Sequence, residues 1–173
     1  MTRDEMQNAA EYWEEKDAAA VRMPRDELIS EMERFITAHT TCALATGAGS
    51  FVRCTPIEYN YKDGRFFLFT EGGRKFTALM ENSNVSLCIY NEYAGFGTAA
   101  GMQVTGKASF IEPWSERYIE LLEFKHIKPE ALKKQPHQLH LIEIAPSRID
   151  YLNAEFKKRG YDSRQHAEFP AEQ

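Results

Sequence analysis

No apolar stretch in these 173 residues approaches the roughly 18–20 that a membrane span requires, so no bilayer crossing is expected. A basic balance is missing too. The formal net charge of -5 and pI near 5.6 argue against a nucleic-acid partner. Cysteine is scarce and odd in number. Cys42, Cys54 and Cys88 lack paired spacing and sit in apolar, strand-like contexts, which suggests reduced, buried thiols in the cytoplasm. Met1-Thr2-Arg3-Asp4-Glu5 leads into charged residues, so a signal peptide is not expected. Gly95-Phe96-Gly97 with the later Gly101 lacks the spacing and the strand–turn–helix unit of a dinucleotide motif. His137 and His140 begin a strand and point to opposite faces, a poor metal pair. No Ser–His–Asp or paired-carboxylate arrangement follows from spacing, so no catalytic acid or base is named.

What is present reads as one domain with a sizeable core. Residues 1–40 read as two helices packing on a barrel or on a partner subunit. Asp4 to Val21 is Glu- and Ala-rich with Tyr12 and Trp13. After Pro24, Leu28, Met32, Phe35 and Ile36 form an i, i+4, i+7, i+8 stripe. His39 is placed to close that helix. Residues 41–152 carry strand-like periodicity: Cys42–Thr46, Phe51–Tyr61, Phe66–Thr70, Asn84–Tyr90, Met102–Ile111 and His137–Ile144. Asp63-Gly64 signals a hairpin. Pro113 opens a helix whose Trp114, Tyr118, Leu121 and Leu122 share a face. Residues 153–173 read as a polar tail. Six strands with inserted helices predict a mainly β protein, an antiparallel barrel with peripheral helices.

The most informative stretch is Thr70-Glu71-Gly72-Gly73-Arg74-Lys75. An aromatic strand ends in a hydroxyl, turns on two glycines and enters a helix beside two cations. Free N–H groups at a helix start suit a phosphate; the alternative is a glycine turn followed by solvated cations. Arg53 shares a largely apolar strand face with Phe51, Thr55, Ile57 and Tyr59. It wants an anionic partner, either a carboxylate of the chain or a ligand. The hairpin makes the two strands neighbours, so Arg53, Thr70, Arg74 and Lys75 could converge on one phosphate.

The order and spacing of these pieces resemble the pyridoxamine 5′-phosphate oxidase-like family, the FMN-binding split barrels. The matching pieces, between about Met32 and Tyr151, are Cys42–Thr46, Arg53-Cys54-Thr55-Pro56, Asp63-Gly64 with Phe66–Thr70, Gly73-Arg74-Lys75, Asn82–Leu87 and Gln103–Ala108. The resemblance implies a six-stranded split barrel and a homodimer with FMN sites between subunits. Arg53, Arg74 and Lys75 would hold the phosphate and Thr70 would donate to it. Backbone from Cys54 through Thr55 and Pro56 to Ile57 would run along the isoalloxazine ring. Gln103 of the second copy would be a further wall.

Three departures qualify that picture. Glu58 stands where the oxidase has lysine, Gln103 is two residues closer to its glycine, and Glu168-Phe169-Pro170-Ala171-Glu172-Gln173 lacks the oxidase's substrate-binding end. The expectation is a cytoplasmic flavin-dependent oxidoreductase that accepts a small-molecule substrate or a nicotinamide donor, and is not that oxidase itself. The rivals are a haem-binding or haem-degrading relative using His137 or His140, a flavin carrier without catalysis, and a deazaflavin protein.

Overall fold

Burial alternates strictly from Thr41 onward, with Cys42, Leu44 and Thr46 inside, and this alternation builds a single curled antiparallel sheet. The computed structural model describes residues 1–170. Its strands are β1 (Thr41–Ala48), β2 (Phe51–Glu58), β3 (Asn60–Lys62), β4 (Arg65–Thr70), β5 (Asn84–Tyr90), β6 (Ala100–Ile111), β7 (His140–Asn153) and β8 (Arg164–Glu168). They run in the order β2-β1-β5-β6-β7-β4-β3, with β8 beside β7. The helices are α1 (Arg3–Ala18), α2 (Arg25–Thr37), α3 (Lys75–Leu79), α4 (Glu116–Phe124) and α5 (Pro129–Leu132).

The mainly β split-barrel reading stands, with eight strands where six were expected. Two local causes add strands and another lengthens one. First, Phe51–Tyr61 is two strands, because Tyr59 is drawn into the core: its N–H donates to the Thr40 carbonyl at 2.9 Å and its hydroxyl to the Ile36 carbonyl at 2.6 Å. Only Asn60–Lys62 therefore pairs with β4 through the Asp63-Gly64 turn; Phe51–Glu58 pairs with β1. Second, Pro146 does not end β7. It sits opposite Gly106 at a register shift, where a missing N–H is tolerated. Third, the expected polar tail carries a 3-10 turn with buried Phe156, then β8 paired to Arg148–Leu152. Residues 171–173 of that stretch lie outside the described residues.

The stripe of α2 fills the barrel, packing Leu28, Met32, Phe35 and Ile36 among Leu44, Phe66, Leu68 and Ile149. A satellite core forms where Tyr118, Leu121 and Leu122 of α4 cover Phe67 and Leu141 on the other face of β4 and β7. By contrast α1 buries no residue and is anchored near its end, by Asp17 to Arg22 at 2.8 Å and by Arg164 over the Trp13 ring at 4.1 Å. The outward positions of β2, β1, β5 and β6 are small or uncharged over much of their length. Among them, Val52 is 79% and Tyr90 63% exposed. No helix among the described residues is long and apolar enough to cross a membrane.

Candidate functional site

Where the chain turns at Tyr59, β2 and β4 part company, and a cleft of about 560 Å³ opens between them. Thr55, Pro56 and Ile57 form one wall; Phe69, Thr70 and the Glu71–Gly73 turn form the other, with Lys75 beside them. The placement follows from local chemistry. Pro56 cannot complete a ladder on both sides, and β2 is an edge of the sheet. The turn needs positive φ at two successive positions, 117° at Gly72 and 98° at Gly73, which only glycine adopts without strain. Thr70 is buried and locks the turn. Its Oγ1 accepts from the Gly72 N–H at 3.2 Å and donates to the Gly72 carbonyl at 3.3 Å.

The helix after this turn is shorter than the spacing suggested. Only Lys75–Leu79 is helical, as α3. A single turn sums few peptide dipoles, so the cleft's attraction for an anion rests on side chains rather than on a helix start. Lys75 dominates it. The residue is only 6% exposed, its ammonium donates to the Gly72 carbonyl, and no carboxylate pairs with it among the described residues. Burial, and then the like charge of Arg53, hold its pKa below the ordinary lysine range. A buried cation without a counter-charge is costly unless a ligand supplies one.

The other expected residues distribute in an instructive way. Arg53 is solvent-exposed yet near enough to Lys75 to depress its pKa, and Arg74 lies over the Phe51 ring at 5.3 Å. Thr55 lines the cleft with a buried Oγ1 that has no hydrogen-bond partner. Cys54 is exposed on the opposite face of β2, as period two demands. The expectation of buried thiols thus holds for Cys42 alone, whose thiol burial pushes up to about 12, while Cys88 is half-buried. Gln103 is exposed on β6, which stands three places from β2 in the sheet order. Within one chain it cannot join the cleft.

Three features near the site take their meaning from the fold. Thr46 pairs in register with Arg53 and holds a second buried, unpartnered hydroxyl. Glu58, on the outward side of β2, is bound by Lys125 at 2.5 Å, so the carboxylate at the family's lysine position is neutralised by the chain itself. His140 pairs with Thr70 across the ladder and its ring meets that of Phe76 at 5.2 Å. Strand alternation could have placed Thr46 and His140; nothing short of the fold could pair Glu58 with Lys125.

Comparison with known proteins gives a consistent picture. The family model described as pyridoxamine 5′-phosphate oxidase matches residues 28–153. No curated protein matches the sequence. Among solved structures, an FAD-binding protein from Mesorhizobium loti is 19% identical with a TM-score of 0.55, covering 70% of this chain and 89% of its own. ChuZ of Campylobacter jejuni is 16% identical with a TM-score of 0.64, over 85% of this chain and 61% of ChuZ. HutZ, the heme storage protein of Vibrio cholerae, is 17% identical with a TM-score of 0.57, over 68% of this chain and 88% of HutZ. At these identities the structures establish the shared fold.

Proposed function

The chain belongs to the pyridoxamine 5′-phosphate oxidase family, and on that premise we propose that it is an FMN-binding oxidoreductase whose cofactor lies in the cleft between β2 and β4. The observation that carries the reading is Lys75, buried without a carboxylate at the base of a cleft whose wall bears the unpartnered hydroxyl of Thr55. Both lacks are met by one ligand with an anionic end and a polar ring edge. Lys75, Arg74 and Arg53 hold the phosphate, Thr70 fixes the turn that presents them, and the backbone from Cys54 to Ile57 with Pro56 lines the ring. The bound flavin supplies the hydride and electron chemistry. The chain's own work is to neutralise the phosphate, exclude water along Pro56 and Ile57, and leave one ring face open to a small-molecule substrate or nicotinamide donor.

A homodimer completes this site. Gln103 and Cys54 occupy the outward face of the sheet, so Gln103 meets a cofactor only from a second copy. The uncharged outward positions Val52, Cys54 and Tyr90 suit burial against that copy. The free thiols suit the reducing cytoplasm. The pair formed by Glu58 and Lys125 removes the repulsion that a bare carboxylate would exert on FMN.

An absorbance spectrum of the purified protein, followed by FMN titration, tests the reading. Flavin bands or saturable micromolar binding support it. A Soret band with no flavin uptake replaces FMN with haem, and selective binding of a deazaflavin replaces it with that cofactor. Sedimentation of a monomer would overturn the shared site.

A further inference from the structure

At the end of the barrel remote from the Thr70 turn lies a second cavity of about 360 Å³. The last turn of α2, the ends of β5 and β7 and the start of β6 enclose it. We propose that this cavity is a second small-molecule site, built for a neutral planar ring carrying a carboxamide-like edge.

Its floor is aromatic. Phe35 and Tyr151 are buried and tilted against each other at 5.1 Å, and Phe35 also meets the His39 ring at 4.4 Å. Such a floor favours a flat apolar body. The polar groups around it are neutral donors and acceptors. The Tyr151 hydroxyl accepts from the Asn153 amide at 3.0 Å, and nothing among the described residues accepts its own hydrogen. Tyr151 lines the cavity and is 2% exposed, so its hydroxyl has little access to bulk water. His39 Nδ1 donates to the Phe35 carbonyl at 2.7 Å, because a carbonyl can only accept. Its Nε2 meets the Asn91 amide at 2.8 Å, and that amide offers a donor or an acceptor according to its rotation. Thr98 adds a hydroxyl at the rim.

The two ionic side chains of the lining are each paired within the chain. Arg34 is paired with Glu31, and Glu155 is paired with Lys158 at 2.6 Å. A neutral ligand leaves both pairs intact, whereas a charged one competes with a partner already in place. The volume lies within the range of small-molecule sites. Tyr93 and Phe96, in the loop between Asn91 and Thr98, are exposed and meet edge to face at 6.0 Å, which places further aromatic surface beside the rim. None of these residues belongs to the cleft between β2 and β4, so the inference is independent of the flavin reading.

Benzamide and benzoate share a shape and differ in charge, which makes them the probes. The experiment is a titration of the full isotope-labelled chain with each, followed by amide chemical shifts. Benzamide is expected to shift Asn91, Thr98, Ala100 and Asn153 saturably, with benzoate at least tenfold weaker. Ala38→Trp, an exposed change at the cavity wall, is expected to abolish the shifts, and Tyr151→Phe to weaken binding about fivefold. No saturable shift with either probe, equal binding of both, or shifts that survive Ala38→Trp would overturn the proposal. Because Ala38 is exposed on a helix end, that variant keeps the test decisive if Tyr151→Phe fails to fold.

Discussion

At the end of the barrel where β4 gives way to the Thr70–Lys75 turn, Arg53, Arg74 and Lys75 have no carboxylate partner among the described residues. At the opposite end, around His39 and Tyr151, Arg34 and Glu155 are each neutralised by a neighbour in sequence. The two ends share a sheet and a similar scale of opening, so size does not separate them. Their electrostatics do. A fold tolerates a buried, uncompensated cation where something outside the chain completes it, which is the basis for proposing an anion at one end and a neutral molecule at the other.

The contrast breaks most completely at the point the two ends share. Gly106 faces Pro146 at the bulge, and a Cβ there would lie 2.4 Å from the Ala145 carbonyl oxygen. Gly106→Ala is expected to cost about 2–3 kcal/mol, lowering Tm by roughly 5–10 °C and disturbing both ends. Unchanged thermal and denaturant unfolding would mean that β6 and β7 are less tightly joined than described.

Lys75→Met divides the ends by sign. FMN affinity should fall about 10- to 150-fold, from the loss of roughly 1.5–3 kcal/mol of charge-assisted bonding, while the Tm of the FMN-free protein rises. The gain follows from linkage. A depressed lysine pKa means folding prefers the neutral form, so that contribution is full above the ordinary value of 10.5 and is lost as pH falls through the lowered one. Conversely, FMN affinity should decline as pH rises through that lowered value, and Lys75→Met should lack this step in a calorimetric pH series. A fall in both affinity and Tm would make Lys75 merely structural.

Arg53→Ala, at an exposed position, should weaken FMN about tenfold without moving Tm. The smallest effect belongs to Glu58. Its carboxylate is exposed and paired with Lys125, so Glu58→Gln should alter FMN affinity less than threefold and stability by no more than about 0.5 kcal/mol. A larger change in affinity would place Glu58 against the cofactor.

The core was legible because it is periodic. The α2 stripe and the alternation of β1 need no knowledge of the rest of the chain. Lys75, the one cation lining the cleft among the described residues, was legible as a residue type, and so was the glycine turn that carries it. What escaped were properties created by distant pairing. Tyr59 splits a continuous β-like run only because Thr40 and Ile36 offer carbonyls. Gln165 turns a polar segment into a strand edge by accepting from the Met23 N–H and donating to Val21. The His39 cavity requires four elements remote in sequence, and no local pattern announces it.

Strand β7 also governs the order in which this protein can be made. Thr70 finds its ladder partner only at His140, so β4 emerges during synthesis long before the strand that covers its edge. At about 5–20 residues per second, that edge waits roughly 4–14 s on the translating ribosome. During that interval Phe66, Phe67 and Leu68 have no β7 against which to close. Nascent chains shorter than β7 should therefore be the aggregation-prone species, and the ones a chaperone would hold.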